Sequence, residues 1–260
     1  MKFLEMKAAI DELLKDTIDH FSIYIQTKDG DISINAYEPK RAASTIKVPI
    51  LIEAYRQIQS NTIQPDALVY IDNEMRSGGS GVLNYLTNSN VYSYKNLLEL
   101  MIIVSDNTAA NIILDKLGSF TVNELATDIG CHQTKIERKF MTEPTPELDN
   151  YTSAHDMVKF LHLIDEDNDF LSPTSRLEIK TMLLNQQFNE KIPLFMEHNE
   201  KVLIYHKTGE LPGIEHDVGF LTYKNDRVYM ALLSEGWSNN GIGKDYLAAI
   251  GKILLEYIKS

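Results

Sequence analysis

The sequence predicts a mixed α+β protein: an antiparallel sheet built from both chain ends, flanked by terminal helices, with an all-helical lobe inserted between. Three observations predict it. Strand-like alternation occurs near the start, in Phe21–Ala36, and again near the end, in Val202–Leu233. The long stretch between them reads at helical spacing, and the chain opens and closes on amphipathic helices.

Taken in order, Phe3, Leu4, Ala8, Ile10, Leu14 and Ile18 recur roughly at the helical period and define the opening helix. Phe21-Ser22-Ile23-Tyr24-Ile25 alternates as a strand, Lys28-Asp29-Gly30-Asp31 supplies a hairpin turn, and Ile32-Ser33-Ile34-Asn35-Ala36 returns. From Ser44 to Gln187, helices are expected over Thr45–Gln59, Tyr94–Val104, Thr108–Leu117, Thr121–Asp128, Ser153–Ile164 and Thr174–Gln186. Ser93, Asn107, Ser119, Thr152 and Ser172-Pro173 are the start signals. Strands resume at Val202–Lys207, Asp217–Tyr223 and Val228–Leu233, the last two joined at Asn225-Asp226. A final helix runs from Ile242 to Ile258, with Tyr246, Leu247, Ile250, Ile253, Leu254 and Tyr257 on its apolar face. No repeat and no Pro-, Gly- or Ser-rich linker interrupts the chain. The expected organisation is one domain, residues 1–260, with an α/β lobe (1–42 plus 195–260) and a helical lobe (43–194) folding as a unit.

A chain of 260 residues, 43% apolar, is long enough to bury a substantial core. The net charge of −12, without a basic run, argues against nucleic acid or an anionic membrane as partner. The single cysteine, Cys131, excludes an internal disulfide and reads as a small buried thiol. His20, His132, His155, His162, His198, His206 and His216 show no ligand spacing, so no metal and no cofactor are expected. Gly78-Gly79-Ser80-Gly81 lacks the context of a phosphate loop, and adjacent His155 and Asp156 point different ways on a helix. The polar start, Met1 to Asp16, does not read as a signal peptide, and no apolar run is long enough to span a membrane. The expectation is a cytoplasmic monomer, or a secreted one if a leader has been removed.

Three short motifs carry chemistry. Ser44-Thr45-Ile46-Lys47 begins a helix, Ser105-Asp106-Asn107 lies between two helices, and Lys207-Thr208-Gly209 ends a strand. An S-x-x-K match arises about once by chance in such a chain, but the three together, in order, arise by accident about once in a thousand chains. At i, i+3 the Lys47 amine shares a helix face with the Ser44 hydroxyl. A lysine takes a hydroxyl proton only if its pKa is lowered, which burial and a second cation, Lys207, would do. A helix N-terminus at Ser44 would aim N–H groups at developing negative charge. Singly, the motifs read more readily as a helix cap, a helix stop and a strand end; only together do they favour chemistry.

With these motifs the chain resembles the serine β-lactamase and transpeptidase-like family, most of all its class A members. The resemblance extends over Ala42–Val48, Leu100–Asn111, and His206–Gly209 leading to His216-Asp217-Val218-Gly219. It implies a β-lactamase/transpeptidase-like fold and a β-lactam or peptidoglycan-like acyl substrate. It further implies that Ser44 forms an acyl-enzyme, that Lys47 is base or proton relay, and that Ser105 passes a proton to the leaving nitrogen. Asn107 would hold the substrate's side-chain amide, and Lys207 and Thr208 its carboxylate, beside Gly209. The backbone N–H groups of Ser44 and Glu210 would form the oxyanion hole.

Two departures stand out. Class A enzymes deacylate with a glutamate in an R-x-E-P-E-L-N loop, whereas Arg138 here is followed by Lys139 and Phe140. Glu143 and Glu147 arrive late, in Glu143-Pro144-Thr145-Pro146-Glu147-Leu148, as candidates for deacylation or as plain surface carboxylates. The arginine that the family often places before the counterpart of Asp217 is replaced by Glu215-His216; His216 would contribute when protonated, and Glu215 would repel a carboxylate. The leading expectation is therefore a class A-like serine hydrolase that opens a β-lactam amide. The alternatives are a penicillin-binding, D,D-peptidase-like or sensor protein that acylates but deacylates poorly, and a non-catalytic binding protein.

Overall fold

The structure, a computed structural model, describes residues 1–145, 148–197 and 201–260. Helix α1 (Phe3–Leu14) buries Met6, Ile10 and Leu14, spaced four apart, and the Glu5 carboxylate accepts the Lys2 N–H at 2.8 Å. Strands β1 (Phe21–Thr27) and β2 (Gly30–Ile34) form the expected hairpin around Lys28-Asp29. A two-residue strand, β3 (Lys40–Arg41), leads into a 3₁₀ turn, Ala43–Ile46, that continues directly as α2 (Lys47–Gln59).

A small hairpin follows, β4 (Leu68–Tyr70) with β5 (Val91–Ser93), and then α3 (Tyr94–Ile103), α4 (Asn107–Leu117) and α5 (Ser119–Asp128). Strand β6 (Tyr151–Thr152) pairs with β3 and precedes α6 (Ala154–Asp165) and α7 (Pro173–Leu184). The chain ends with β7 (Leu203–Leu211), β8 (Ile214–Tyr223), β9 (Asp226–Glu235) and α8 (Asn240–Ile258). Side-chain oxygens of Ser93, Asp106, Ser153 and Ser172 accept N–H groups three residues on, so α4 and α6 are capped one residue away from the expected Asn107 and Thr152. The two small strand pairs, β4–β5 and β3–β6, differ from the sequence expectation. Their strands are too short to show alternation.

The main sheet is antiparallel in the order β2-β1-β9-β8-β7, so strands from the two ends of the chain meet at the β1–β9 pair. Alternation sorts its residues onto two cores. Phe21, Ile23, Ile25, Val228, Met230 and Leu232 pack with α1 and α8 on one face. Val218, Phe220, Tyr229, Ala231 and Leu233 pack with the helices of the middle segment on the other.

The β7–β8 hairpin differs from the expectation and bears on the site. Strand β7 continues past Lys207 to Leu211, and β8 begins at Ile214 rather than Asp217. Pro212-Gly213 makes the turn: proline presets its own φ, and Gly213 takes φ +73°, the left-handed region that glycine enters freely. The two-residue turn sets Gly209 opposite His216 and Glu210 opposite Glu215, which places both Glu215 and His216 inside the sheet.

Candidate active site

Ser44 sits in the 3₁₀ turn at the head of α2, half-buried, between β3 and the main sheet. The residue before it, Ala43, has φ +46°, and Ser105, closing the turn between α3 and α4, has φ +54°. Left-handed backbone at two non-glycine residues is strained, and such strain persists only where the surroundings over-determine it. Around Ser105 the surroundings are the loop Gly78–Gly81. Asn107 N–H donates to Ser80 O at 3.0 Å, and the Val82 and Leu83 N–H groups donate to Asp106 Oδ2 at 2.7 and 2.9 Å. Gly81, at φ +119°, must lack a side chain, because a Cβ there would lie 2.2 Å from Asp106 Oδ2.

The fully buried Lys47 amine lies 3.2 Å from Ser44 Oγ, 3.1 Å from Ser105 Oγ, 2.8 Å from Ser105 O and 2.8 Å from Asn107 Oδ1. The Lys207 amine, also fully buried, reaches the same Ser105 Oγ at 3.1 Å and donates to Thr208 O at 2.9 Å. The Ser105 hydroxyl thus bridges two amines. Burial, then the Lys207 cation, holds the Lys47 pKa well below the ordinary lysine range, against the opposing pull of Asp106. Burial, then the Lys191 cation, pushes Lys207 down to about 7, against Asp217. An amine whose proton affinity is lowered in this way, one hydrogen bond from a hydroxyl, can accept that hydroxyl's proton.

Gly209 packs on this turn so closely that a Cβ there would lie 3.1 Å from Thr45 Cγ2 and 3.2 Å from the Ser44 nitrogen. The backbone of β7 and the Ser44 peptide therefore abut, which brings the Ser44 and Glu210 segments together at one edge of the cleft. Asn107 is committed on both sides of its amide, to Lys47 through Oδ1 and to Gly78 O at 3.1 Å through Nδ2.

Two cavities border Ser44. The larger, about 650 Å³, is bounded by Ser44, Ser105, Thr208, Glu190, Glu210 and Lys244. The smaller, about 100 Å³, is bounded by Ala43, Phe140, Met141, Arg138 and Asp149. The Phe140 ring stands at the position of the family's loop carboxylate, its centroid 4.5 Å from the Lys47 amine, with its N–H and C=O held by the Asn111 side chain. Asp149, which borders this smaller cavity together with Glu210, is bound by Arg41 at 2.7 Å and Arg138 at 2.7 Å. Burial raises the Asp149 pKa, but the Asn150 N–H and the two arginines outweigh it and hold the carboxyl below its ordinary range. Glu143 is exposed and borders neither cavity, and Glu147 lies outside the described residues.

His216 does not supply the cation expected of it. Its ring is fully buried, donates to Arg41 O at 2.8 Å and accepts the Ser234 N–H at 3.0 Å, so both nitrogens are spent on backbone. Burial pushes its pKa down to about 4, and the ring is neutral at pH 7. Glu215 does not face a substrate either: it is buried against the Lys191 amine at 2.6 Å and accepts from Asn240 at 2.7 Å. Lys191, which also donates to Gly209 O and His216 O, went unnoticed in the sequence, as did Lys244 and Glu190. None belongs to a motif, and only the folded chain brings them to the site. Among the described residues no cluster of three or more His, Cys, Asp or Glu side chains could hold a metal ion.

An α+β fold with a serine-bearing helix head against the edge of a five-stranded antiparallel sheet is the architecture of serine β-lactamases. The family model described as "Beta-lactamase enzyme family" matches residues 5–258, and the chain belongs to that family. A β-lactamase from Sphaerobacter thermophilus is 25% identical, with 98% of this chain and 97% of that chain covered and a TM-score of 0.89. The TLA-3 extended-spectrum β-lactamase, 16% identical with both chains fully covered, gives a TM-score of 0.88. A mutant of PBP-A in an acyl-enzyme complex with penicillin G, 23% identical with 98% and 96% covered, gives 0.85. A search of curated proteins returned no match.

Proposed function

We propose that this serine β-lactamase-like hydrolase opens the amide of a β-lactam, or of a related acyl substrate, through an ester on Ser44. The observation that carries this reading is the short chain of polar groups: Ser44 Oγ to Lys47 Nζ at 3.2 Å, and Ser105 Oγ at 3.1 Å from both Lys47 and Lys207. Ser44 Oγ gives its proton to neutral Lys47 and bonds to the acyl carbon. The negative charge on the acyl oxygen is met by the N–H groups of Ser44 and Glu210. The C–N bond then breaks, and the nitrogen takes a proton from Lys47 through the Ser105 hydroxyl, which Lys207 orients. In this reading Thr208 and the remaining Nδ2 hydrogen of Asn107 hold the substrate on either side. Addition of water to the ester returns the free acid and Ser44.

Phe140 favours a second reading, in which the ester persists. Among the described residues, the carboxylates bordering the smaller cavity beside the Phe140 ring are Asp149, bound by two arginines, and Glu210, paired with Lys244, so neither stands free to activate water. Such a protein acylates as a penicillin-binding or sensor protein does, and a peptidoglycan-like D-alanyl peptide becomes its natural acyl donor.

Intact-mass measurement after mixing with penicillin G and with a chromogenic cephalosporin tests both readings. Ser44 acquires a stoichiometric adduct that the Ser44→Ala variant lacks; a wild type that stays at its native mass with both reagents refutes the acyl-transfer proposal. A long-lived adduct selects the second reading, and fast release of product selects the first. In the former case Phe140→Glu accelerates release by about a hundredfold, the usual contribution of a positioned general base.

A further inference from the structure

The N–H proposed on β7 as an oxyanion donor has a buried support behind it. Strand β7 is an edge of the five-stranded sheet, and Leu211 and Ile214 flank the two-residue turn that joins it to β8. In a tight turn of this kind the carbonyl of the first residue accepts the N–H of the fourth, so Leu211 and Ile214 form a bonded pair. Antiparallel pairs alternate between bonded and non-bonded, so Gly209–His216 is again a bonded pair and Glu210–Glu215 is not. The Gly209 carbonyl therefore points inward to β8. The N–H at the other end of that peptide, on Glu210, points outward from the sheet edge, where Glu210 and Ser44 border the same two cavities.

This peptide is held from opposite faces of the sheet. A Cβ on Gly209 would meet Ala43, the Ser44 nitrogen and Thr45, so the Ser44 turn lies on the face shared by residue 209 and its cross-strand neighbour His216. Glu215, one residue away on β8, turns to the other face and meets Lys191 Nζ there at 2.6 Å. From that side Lys191 donates to Gly209 O at 3.0 Å and to His216 O at 3.1 Å, the two carbonyls of the bonded pair. Lys191 is fully buried and acts on the cleft through this peptide.

We infer that Lys191 is a positioning residue for acyl transfer: it clamps Gly209 O, fixes the plane of the Gly209–Glu210 peptide, and so aims the Glu210 N–H at the acyl oxygen. The inference rests on the acyl-transfer reading and names the residue that prepares its oxyanion site. A cation on the carbonyl also draws electron density across the peptide and makes the N–H at its far end a stronger donor. Glu215 supplies the opposite charge that lets an ammonium sit in the interior, and Asn240, on Leu211 O at 2.9 Å, steadies the next inward carbonyl.

Infrared spectroscopy of the Ser44 ester tests it, the ester being formed from penicillin G labelled with carbon-13 at the β-lactam carbonyl. The stronger the hydrogen bonds on the ester oxygen, the lower its stretching frequency. The double variant Lys191→Met with Glu215→Leu leaves no unpaired charge behind. Its ester band moves to higher frequency, and its acylation rate constant falls by at least about tenfold, loss of a whole oxyanion donor costing a hundredfold or more. Rates are compared at each protein's own pH optimum, because burial and then the Lys191 cation lower the Lys207 pKa. Lys191→Gln with Glu215→Gln, which keeps an N–H donor without the charge, gives a band between the two and carries the measurement if the first pair does not fold. Leu161→Ala, in the buried face of α6 and bordering neither cavity, lowers stability without moving the band. An unmoved band in the double variants overturns the inference whatever their rates, and leaves acyl transfer standing. A wild type that forms no Ser44 ester with penicillin G removes the acyl-transfer reading itself.

Discussion

Two buried amines that share one hydroxyl are the chemical centre of the site. Lys47 and Lys207 each lie 3.1 Å from Ser105 Oγ, and the charge of Lys207 is one cause of the low Lys47 pKa. In the proposed reaction Lys47 accepts a proton only when neutral, so the acid limb of acylation against pH is expected to mark the loss of its proton. Replacing Lys207 by methionine removes a neighbouring cation, lets Lys47 keep its proton to higher pH, and moves that limb upward. The measurement is the acylation rate constant between pH 5 and 10 for wild type and Lys207→Met. A lower rate with an unmoved limb would show that Lys207 acts on the substrate alone. The Ser44–Lys47 pairing was legible in the sequence, because i, i+3 spacing fixes it locally. The partner of His216 was not, because its burial depends on a two-residue turn at Pro212-Gly213 that pulls the preceding residues into the sheet.

At the level of elements, side chains from outside the β7–β8 hairpin hold it: Asn240 at its turn and Lys191 further along its strands. Lys191, at the start of the 3₁₀ turn Ile192–Phe195, donates to Gly209 O at 3.0 Å and His216 O at 3.1 Å and pairs with Glu215. It anchors the strand that abuts Ser44 while its charge lowers the Lys207 pKa. Removing one partner of a buried pair leaves a charge unpaired in the interior, so Lys191→Met should cost roughly 3–5 kcal/mol in a denaturant titration. The double variant Lys191→Met with Glu215→Leu should recover more than half of that. Burial already raises the Glu215 pKa, and without Lys191 it rises further. The folded variant then binds a proton that the unfolded chain releases, so its deficit grows as pH rises from 5 to 8 and shrinks toward acid. A pH-independent deficit would place the cost in lost backbone hydrogen bonds instead.

Over the whole molecule, one sheet carries a core on each face, and β1, β8 and β9 contribute to both. Two native reporters divide between them. Trp237, the sole tryptophan, packs in the core under α1 and α8, and Cys131, the sole cysteine, is buried in the helical core. Since neither core survives loss of the shared strands, tryptophan fluorescence and thiol protection should be lost at the same urea concentration. Separated midpoints would mean that the helical segment unfolds independently of the sheet.

The order of helices and strands, the return of strands at the end of the chain and the three motifs are all written in local spacing. Residues a few positions apart already have their relative directions set by a helix or a strand. Lys191, Glu190 and Lys244 lie far along the chain from Ser44 and belong to no pattern; the sheet, the Pro212-Gly213 turn and the seating of α8 carry them to the cleft. Charge and proton affinity at the site arise from that assembly, since burial and through-space neighbours set them rather than the order of residues.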